Sequence, residues 1–394
     1  MNYRILSLDG GGTWALIQLK ALIALYSEDT SGRNVLQDFD LVAANSGGSI
    51  VLGGLVEDLT LGEILAFFQD QTKRESVFSP THSFGDRVLH DLTGMGPKYS
   101  EENKLSALQN VLPATGSVPL DRVVAGVRRP GSNVDVHLLI VGFDYDRNRA
   151  AFFRSSPASG TAWGTGEAAG ITLAEAIHAS TNAPVNYFDE PATFPDQPGR
   201  YWDGAISGCN NPVLAAVTEA IVKTKNSMNF AALSIGTASV ALPWPQPGHP
   251  SPYVQQISDP GFVTDLRKLA TSILDDPPDI ATFLAHVMTG SGIGLNQPSA
   301  DSRVVRMNPL ISPVMKAGVW SAPGSMSAAQ FTYLAKLDMD AVEQAQVDAI
   351  SKYADLWVQS VAPNQPIRMN GDTLVPELGQ TRFQDAVSAW NAIK

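Results

Sequence analysis

Cysteine is almost missing from this chain: Cys209 stands alone among 394 residues. An internal disulfide and a cysteine-based zinc cluster are therefore excluded, and the fold does not depend on an oxidising compartment. Basic charge is also scarce. Lys and Arg number 27 against 39 Asp and Glu, giving a net charge of −12, which argues against an electrostatic grip on nucleic acid or on strongly anionic membrane. Long apolar runs are lacking too. The N-terminus has only Arg4 before Asp9 interrupts its apolar stretch, too short for the h-region of a secretory signal. The uncharged stretch from Asn226 to Ser258 contains Pro243-Trp244-Pro245-Gln246-Pro247 and fails the roughly 20-residue apolar test for a membrane span. The expectation is a soluble, cytoplasmic protein that meets any membrane from outside, with a leaderless route the remaining way out of a cell. Neither the 33 Gly nor the 26 Pro recur with a period, so a fibrous repeat is excluded.

What is present is ample material for a core, 44% hydrophobic residues. Arg4 to Leu8 reads as a short strand running into Asp9-Gly10-Gly11-Gly12, followed by a helical pattern from Trp14 to Tyr26 with Leu16, Leu19, Leu22 and Ile23 on one face. Phe39 to Ala44 is a second strand, broken at Asn45-Ser46-Gly47-Gly48, and Ser49 to Glu57 resumes as helix. Strand, glycine turn and helix thus occur twice within sixty residues, the pattern of α/β folds with parallel strands. Val136 to Phe143 and Ala150 to Phe153 read as a hairpin turned by Asp144 to Asn148. Leu173 to Ser180 reads as helix and Asn229 to Ile235 as a buried strand. Phe78 to Lys98 is irregular, carries Phe84 and Met95 among loop-forming residues, and is a candidate lid. From Asp259 to Met288 and from Ser327 to Ser360 helical periodicity dominates.

Three short motifs carry chemistry. Ser46 lies between a strand and a helix, where small neighbours allow a sharp turn and the helix N-terminus offers unpaired N–H groups. The alternative is a capping serine in a glycine-rich turn. Asp9-Gly10-Gly11-Gly12 exposes backbone N–H groups that can cradle an oxyanion or a phosphate. With Thr13 it is also similar to the phosphate loop of actin-like ATPases and sugar kinases, in which Asp203-Gly204-Ala205 would supply a second loop. Asp203 follows two aromatics, Tyr201 and Trp202; desolvation there makes a carboxylate a stronger base, although an Asp-Gly pair also simply begins turns. The histidines, His82, His90, His137, His178, His249 and His286, show no triad context and no metal spacing. Asp144-x-Asp146-x-Asn148 starts like a calcium loop but has Arg149 and Ser155 where Gly and Glu are required.

In order, Asp9-Gly10-Gly11-Gly12, Ser46-x-Gly48 and Asp203-Gly204-Ala205 resemble the patatin-like phospholipase family. Gly96-Pro97-Lys98-Tyr99, Phe143-Asp144-Tyr145 with Phe152-Phe153, Ala179-Ser180-Thr181-Asn182-Ala183-Pro184 with Tyr187-Phe188, and Leu233 to Thr237 agree with it. Trp14 and Ala15 depart from it, replacing a usual basic residue and glycine, and Ala44 replaces the first glycine of the elbow.

The resemblance implies a three-layer α/β fold with a central, mostly parallel sheet and helices on both faces. It implies a catalytic core over 1–240 and a helical C-terminal portion, 241–394, packed on the same domain. It implies a lipid acyl hydrolase with Ser46 as nucleophile, Asp203 as its base, and the Gly10, Gly11 and Gly12 N–H groups as oxyanion hole, supported by Asp9, Gly48 and Gly204. No cofactor and no metal are implied. The expected partner is a phospholipid or other acyl lipid met by peripheral membrane contact, and the oligomeric state is not given by the sequence. A catalytically inactive lipid-binding module on the same fold is the alternative.

Overall fold

Short apolar runs flanked by glycine and asparagine become the inner strands of one sheet, because only a strand buried on both faces can use continuous apolar sequence. The structure, a computed structural model, describes residues 2–77, 104–156, 165–166, 170–184, 188, 190–195, 197–225, 228–245, 251–257, 259–261, 268, 278–290, 302–338, 341–371 and 373–394. The candidate lid 78–98 and the Gly96–Tyr99 stretch lie outside the described residues.

The strands are β1 (Tyr3–Leu8), β2 (Leu41–Asn45), β3 (His137–Asp144), β4 (Arg149–Arg154), β5 (Thr165–Gly166), β6 (Ala192–Phe194), β7 (Gln197–Asp203), β8 (Phe230–Ile235), β9 (Ser239–Val240), β10 (Val304–Met307) and β11 (Leu310–Ile311), with two further antiparallel hairpins, Val314–Lys316 with Val319–Ser321 and Arg368–Met369 with Pro376–Leu378, in the C-terminal portion. The main sheet runs in the order β10-β8-β1-β2-β3-β4-β5, with β7 also paired to β3 and β6 to β7. The five strands from β10 to β3 are mutually parallel, while β4 and β7 run antiparallel to β3. β9 and β11 form a separate parallel pair beside the sheet.

Alternation along each strand sorts side chains into two cores. On one face Leu6, Leu8, Val42, Ala44 and Ile140 pack with the helices α1 (Leu16–Leu25), α2 (Gly47–Val56), α3 (Lys104–Val111) and α4 (Leu173–Ser180). On the other, Ile5, Leu41, Ala43 and Val141 pack against α5 (Val213–Thr224) and against Ala281 and Ala285 of the helix over 278–288. This is the expected three-layer arrangement, helices on both faces of a mostly parallel sheet. α4 begins with a capping box in which the Thr172 hydroxyl accepts from the Glu175 N–H and the Glu175 carboxylate accepts from the Thr172 N–H, satisfying orphan donors at its N-terminus.

Past residue 241 the chain adds α6 (Gln344–Val358) and α7 (Phe383–Ile393). It also adds β10, which extends the sheet alongside β8 from Val304 opposite Ala232 to Met307 opposite Ile235. Four residues are too few to show a period, so this strand is invisible to periodicity. The last helix is anchored by Trp390, stacked on Phe39 at 5.9 Å between ring centroids. Both rings are buried, and Phe39 lies two residues before β2, the strand that leads to Ser46. Trp390→Ala is expected to lower unfolding free energy by about 3–5 kcal/mol, read by urea denaturation. A loss below about 1 kcal/mol, within the range of an ordinary surface change, would show that the helix contributes little to the cooperative core.

Candidate active site

Ser46 is the junction between β2 and α2. Its backbone has φ 47 and ψ −124, a region that a residue with a Cβ enters only at a cost of about 1–3 kcal/mol. Neighbours enforce it. The Ser46 N–H donates to Ser180 Oγ at 2.9 Å, and its carbonyl accepts from the Ser49 N–H at 2.8 Å and from the Ser49 hydroxyl at 2.6 Å. A side chain held on such a turn projects from the strand end, and it does so at the N-terminus of a helix. Gly48, in the first turn of α2, packs so closely on the Leu8 and Asp9 carbonyl oxygens that a Cβ would lie at 2.5 and 2.6 Å from them.

Asp203 reaches the same place from the end of β7. β3 pairs Val141 with Asn45 of β2 and, one residue on, Gly142 with Asp203 of β7. β4 occupies the opposite edge of β3 over 139–144, so β2 and β7 share one edge and their C-terminal ends meet. The Asp203 carboxylate is buried. Its Oδ1 accepts from Asn45 Nδ2 at 3.0 Å and from the Ala205 N–H at 2.9 Å, and the Ser46 side chain lies near enough to lower the proton affinity of the carboxylate. Burial raises its proton affinity above the ordinary 3.8, and the nearby Ser46 side chain, the hydrogen bonds from Ala205 and Asn45 and the Lys104 charge pull the other way without cancelling it.

The glycine loop closes the third side. A Cβ on Gly10 would come within 2.9 Å of Ser46 Cβ and 2.2 Å of Asn210 Oδ1, so only glycine lets the loop lie against the serine. Gly11 and Gly12 both have positive φ, 153 and 54, and Gly12 opens a short 3-10 helix to Ala15. One expectation needs correction here. The Gly10 N–H donates to the Asn210 carbonyl at 2.8 Å, so that group is spent on anchoring the loop and is not presented to Ser46. Gly204 follows Asp203 in the 3-10 helix over Gly204–Ser207.

Asp9, at the root of the loop, has its carboxylate buried against Arg306, Oδ2 to Nη2 2.6 Å. That disposition is unlike a carboxylate held at a phosphate loop's surface. Lys104 and Arg306 belong to no motif, while Asn45, Ser180, Asn182 and Asn210 lie in or beside the motif stretches with no role of their own legible there. Lys104 Nζ donates to the Thr181 carbonyl at 2.8 Å and to Asn182 Oδ1 at 3.2 Å, and the Asn182 carbonyl accepts from the Asp203 N–H at 2.9 Å. The Ala179–Pro184 stretch was the available signal for this support. Among the described residues no histidine is bonded to Ser46 or Asp203. His137 sits at the opposite end of β3, where burial lowers its pKa to about 4, and His286 Nδ1 pairs with Ser302 Oγ at 2.9 Å.

The sequence profile of the patatin-like phospholipase family matches residues 6–217. The chain belongs to this family. No curated protein matches it by sequence. Among solved structures it is similar to the crystal structure of VipD from Legionella pneumophila, at 10% sequence identity and a TM-score of 0.34, over 90% of this chain and 66% of that one. This patatin-like chain thus spans slightly under two thirds of that protein's length.

Within the site the Asn45 amide has partners on three sides: Asp203, Asn210 Oδ1 at 3.4 Å from its Nδ2, and the Ser180 hydroxyl at 3.4 Å from its Oδ1. Asn45→Ala leaves a buried carboxylate short of a donor. Stability is expected to fall by about 1–3 kcal/mol in urea denaturation; an unchanged midpoint would show that Asn45 does not hold the carboxylate.

Proposed function

We propose that this protein is a lipid acyl hydrolase of the phospholipase A or lysophospholipase type that works through a Ser46–Asp203 dyad and an acyl-enzyme. The observation that carries the reading is the meeting of Ser46, on its strained turn, with the buried Asp203 carboxylate, which the preceding residue, Asn45, hydrogen-bonds at 3.0 Å and whose proton affinity the Ser46 side chain lowers. Asp203 takes the Ser46 proton as Oγ attacks the acyl carbonyl. The tetrahedral oxyanion is met by the N–H groups of Gly11 and Gly12, each such donor typically worth about 2.7–4 kcal/mol. Collapse expels the alcohol, which leaves with the proton from Asp203. Asp203 then deprotonates water as it attacks the ester of Ser46, and collapse of this second tetrahedral intermediate releases the fatty acid while Asp203 returns the proton to Ser46 Oγ. A carboxylate is a weaker base than imidazole; its burial offsets part of that difference by raising its proton affinity. Substrates are phospholipids or other acyl lipids, approached at a membrane surface through apolar contact because a chain of net charge −12 gains little from anionic head groups. The catalytic core is taken as 1–240, with 241–394 packed on the same domain.

Ser46→Ala should abolish hydrolysis of p-nitrophenyl butyrate and labelling by a fluorophosphonate probe, with the fold retained in circular dichroism. An unlabelled wild-type protein would instead favour an inactive lipid-binding module. Asp203→Asn should do nearly the same, since an amide cannot take the proton; retention of about a tenth of wild-type turnover would require another base.

The pH profile follows from the ionisation state. Asp203 must be ionised to act, and its proton affinity is raised, so activity should be present at neutral pH and be lost as pH falls, with a midpoint above the ordinary 3.8. A kcat/KM profile whose acid limb lies at or below that value would contradict the assignment.

A further inference from the structure

Among the described residues the glycine loop has one charged anchor, Arg306 on Asp9, and it comes from outside the region that matches the family. Arg306 lies on β10, opposite Ser234 of β8, while Asp9 follows the end of β1, where Leu8 pairs with Ile235 of the same β8. The guanidinium therefore reaches across β8 to the root of the loop. It is buried and fixed in two directions, Nη2 to Asp9 Oδ2 at 2.6 Å and Nη1 to Ser234 Oγ at 2.8 Å. The rest of the loop root is tied by neutral groups. Gln18 Nε2 donates to the Asp9 and Ile235 carbonyls at 2.8 and 3.2 Å, the Thr237 hydroxyl donates to the Gly10 carbonyl at 2.5 Å, and the Gly10 N–H is held by Asn210. Among the described residues the ion pair is what directs the Asp9 side chain, since its Oδ1 is buried with no partner among them.

We infer that Arg306 is a positioning residue for hydrolysis: by clamping Asp9 it sets where the Gly11 and Gly12 N–H groups stand relative to the carbonyl attacked by Ser46. The inference rests on the Ser46–Asp203 reading given above. Two glycines with positive φ have little intrinsic preference for one conformation, so the loop's geometry is imposed at its root. A misplacement of about 1 Å at a reacting group costs on the order of 100-fold in rate. Asp9 alone would not supply the clamp. Burial already raises its pKa to about 6 against the opposing pull of Arg306, and the Asp279 charge adds to the rise; without the guanidinium it has reason to protonate or move.

The test compares steady-state hydrolysis of p-nitrophenyl butyrate by wild type, Arg306→Met, Arg306→Lys and the uncharged pair Asp9→Asn/Arg306→Met, with Ser46→Ala alongside and folding checked by circular dichroism. Arg306→Met is expected to lower kcat about 10- to 100-fold while KM stays within about twofold, and Arg306→Lys, which restores the charge on Asp9, to recover most of kcat. The uncharged pair removes the buried lone charge, so it folds if Arg306→Met does not, and it is expected to stay as slow. A role in stability alone would lower the melting temperature and leave kcat of the folded protein unchanged. Folded Arg306→Met, or the folded uncharged pair, with kcat within about twofold of wild type would overturn the inference while an inactive Ser46→Ala left the dyad standing. Full activity in Ser46→Ala would overturn the dyad, and this inference with it.

Discussion

The edge of β3 is the constraint on which the site depends. β2 uses that edge up to Val141 and β7 uses it from Gly142 onward, so a parallel and an antiparallel strand end tip to tip. Asn45 and Asp203, 158 residues apart in the chain, become hydrogen-bonded neighbours as a result of sheet pairing. The serine next to Asn45 then needs only the turn between β2 and α2 to face the carboxylate. A one-residue slip of β7 along β3 would turn Asp203 to the opposite face of the sheet.

Around this junction polar groups are buried in a connected set and not singly. Asn45 joins Asp203, Asn210 and Ser180; Ser180 holds the Ser46 N–H; Asn210 holds Gly10. Such networks are stabilising when their members are satisfied and costly when one is removed. They also explain how strain at Ser46 persists, since its N–H and carbonyl are both fixed by neighbours. The strain and the desolvated carboxylate are unfavourable locally, and the two apolar cores on either side of the sheet offset them.

A charge from the C-terminal portion enters the same structure. β10 completes the sheet beside β8, and Arg306 crosses β8 to the loop root. The portion beyond residue 241 is therefore part of how the glycine loop is held, through an ion pair deep enough that solvent does not screen it.

The sequence by itself determined the local elements. The apolar runs before Asp9 and Ser46, each followed by glycines and a helical period, specify β1, β2 and the turns after them, because a turn's conformation is dictated by the residues in it. The glycines at 10, 11 and 12 and the serine at 46 are legible for the same reason. Tertiary structure alone decided the rest. Gly10 looks like its neighbours in sequence, yet its N–H is taken by Asn210, a pairing set by how the segment after β7 packs on the loop. Lys104 and Arg306 carry no motif, and β10 is too short for a period; their roles come from strand order and from burial, which make a charge reach for whatever partner the fold places beside it.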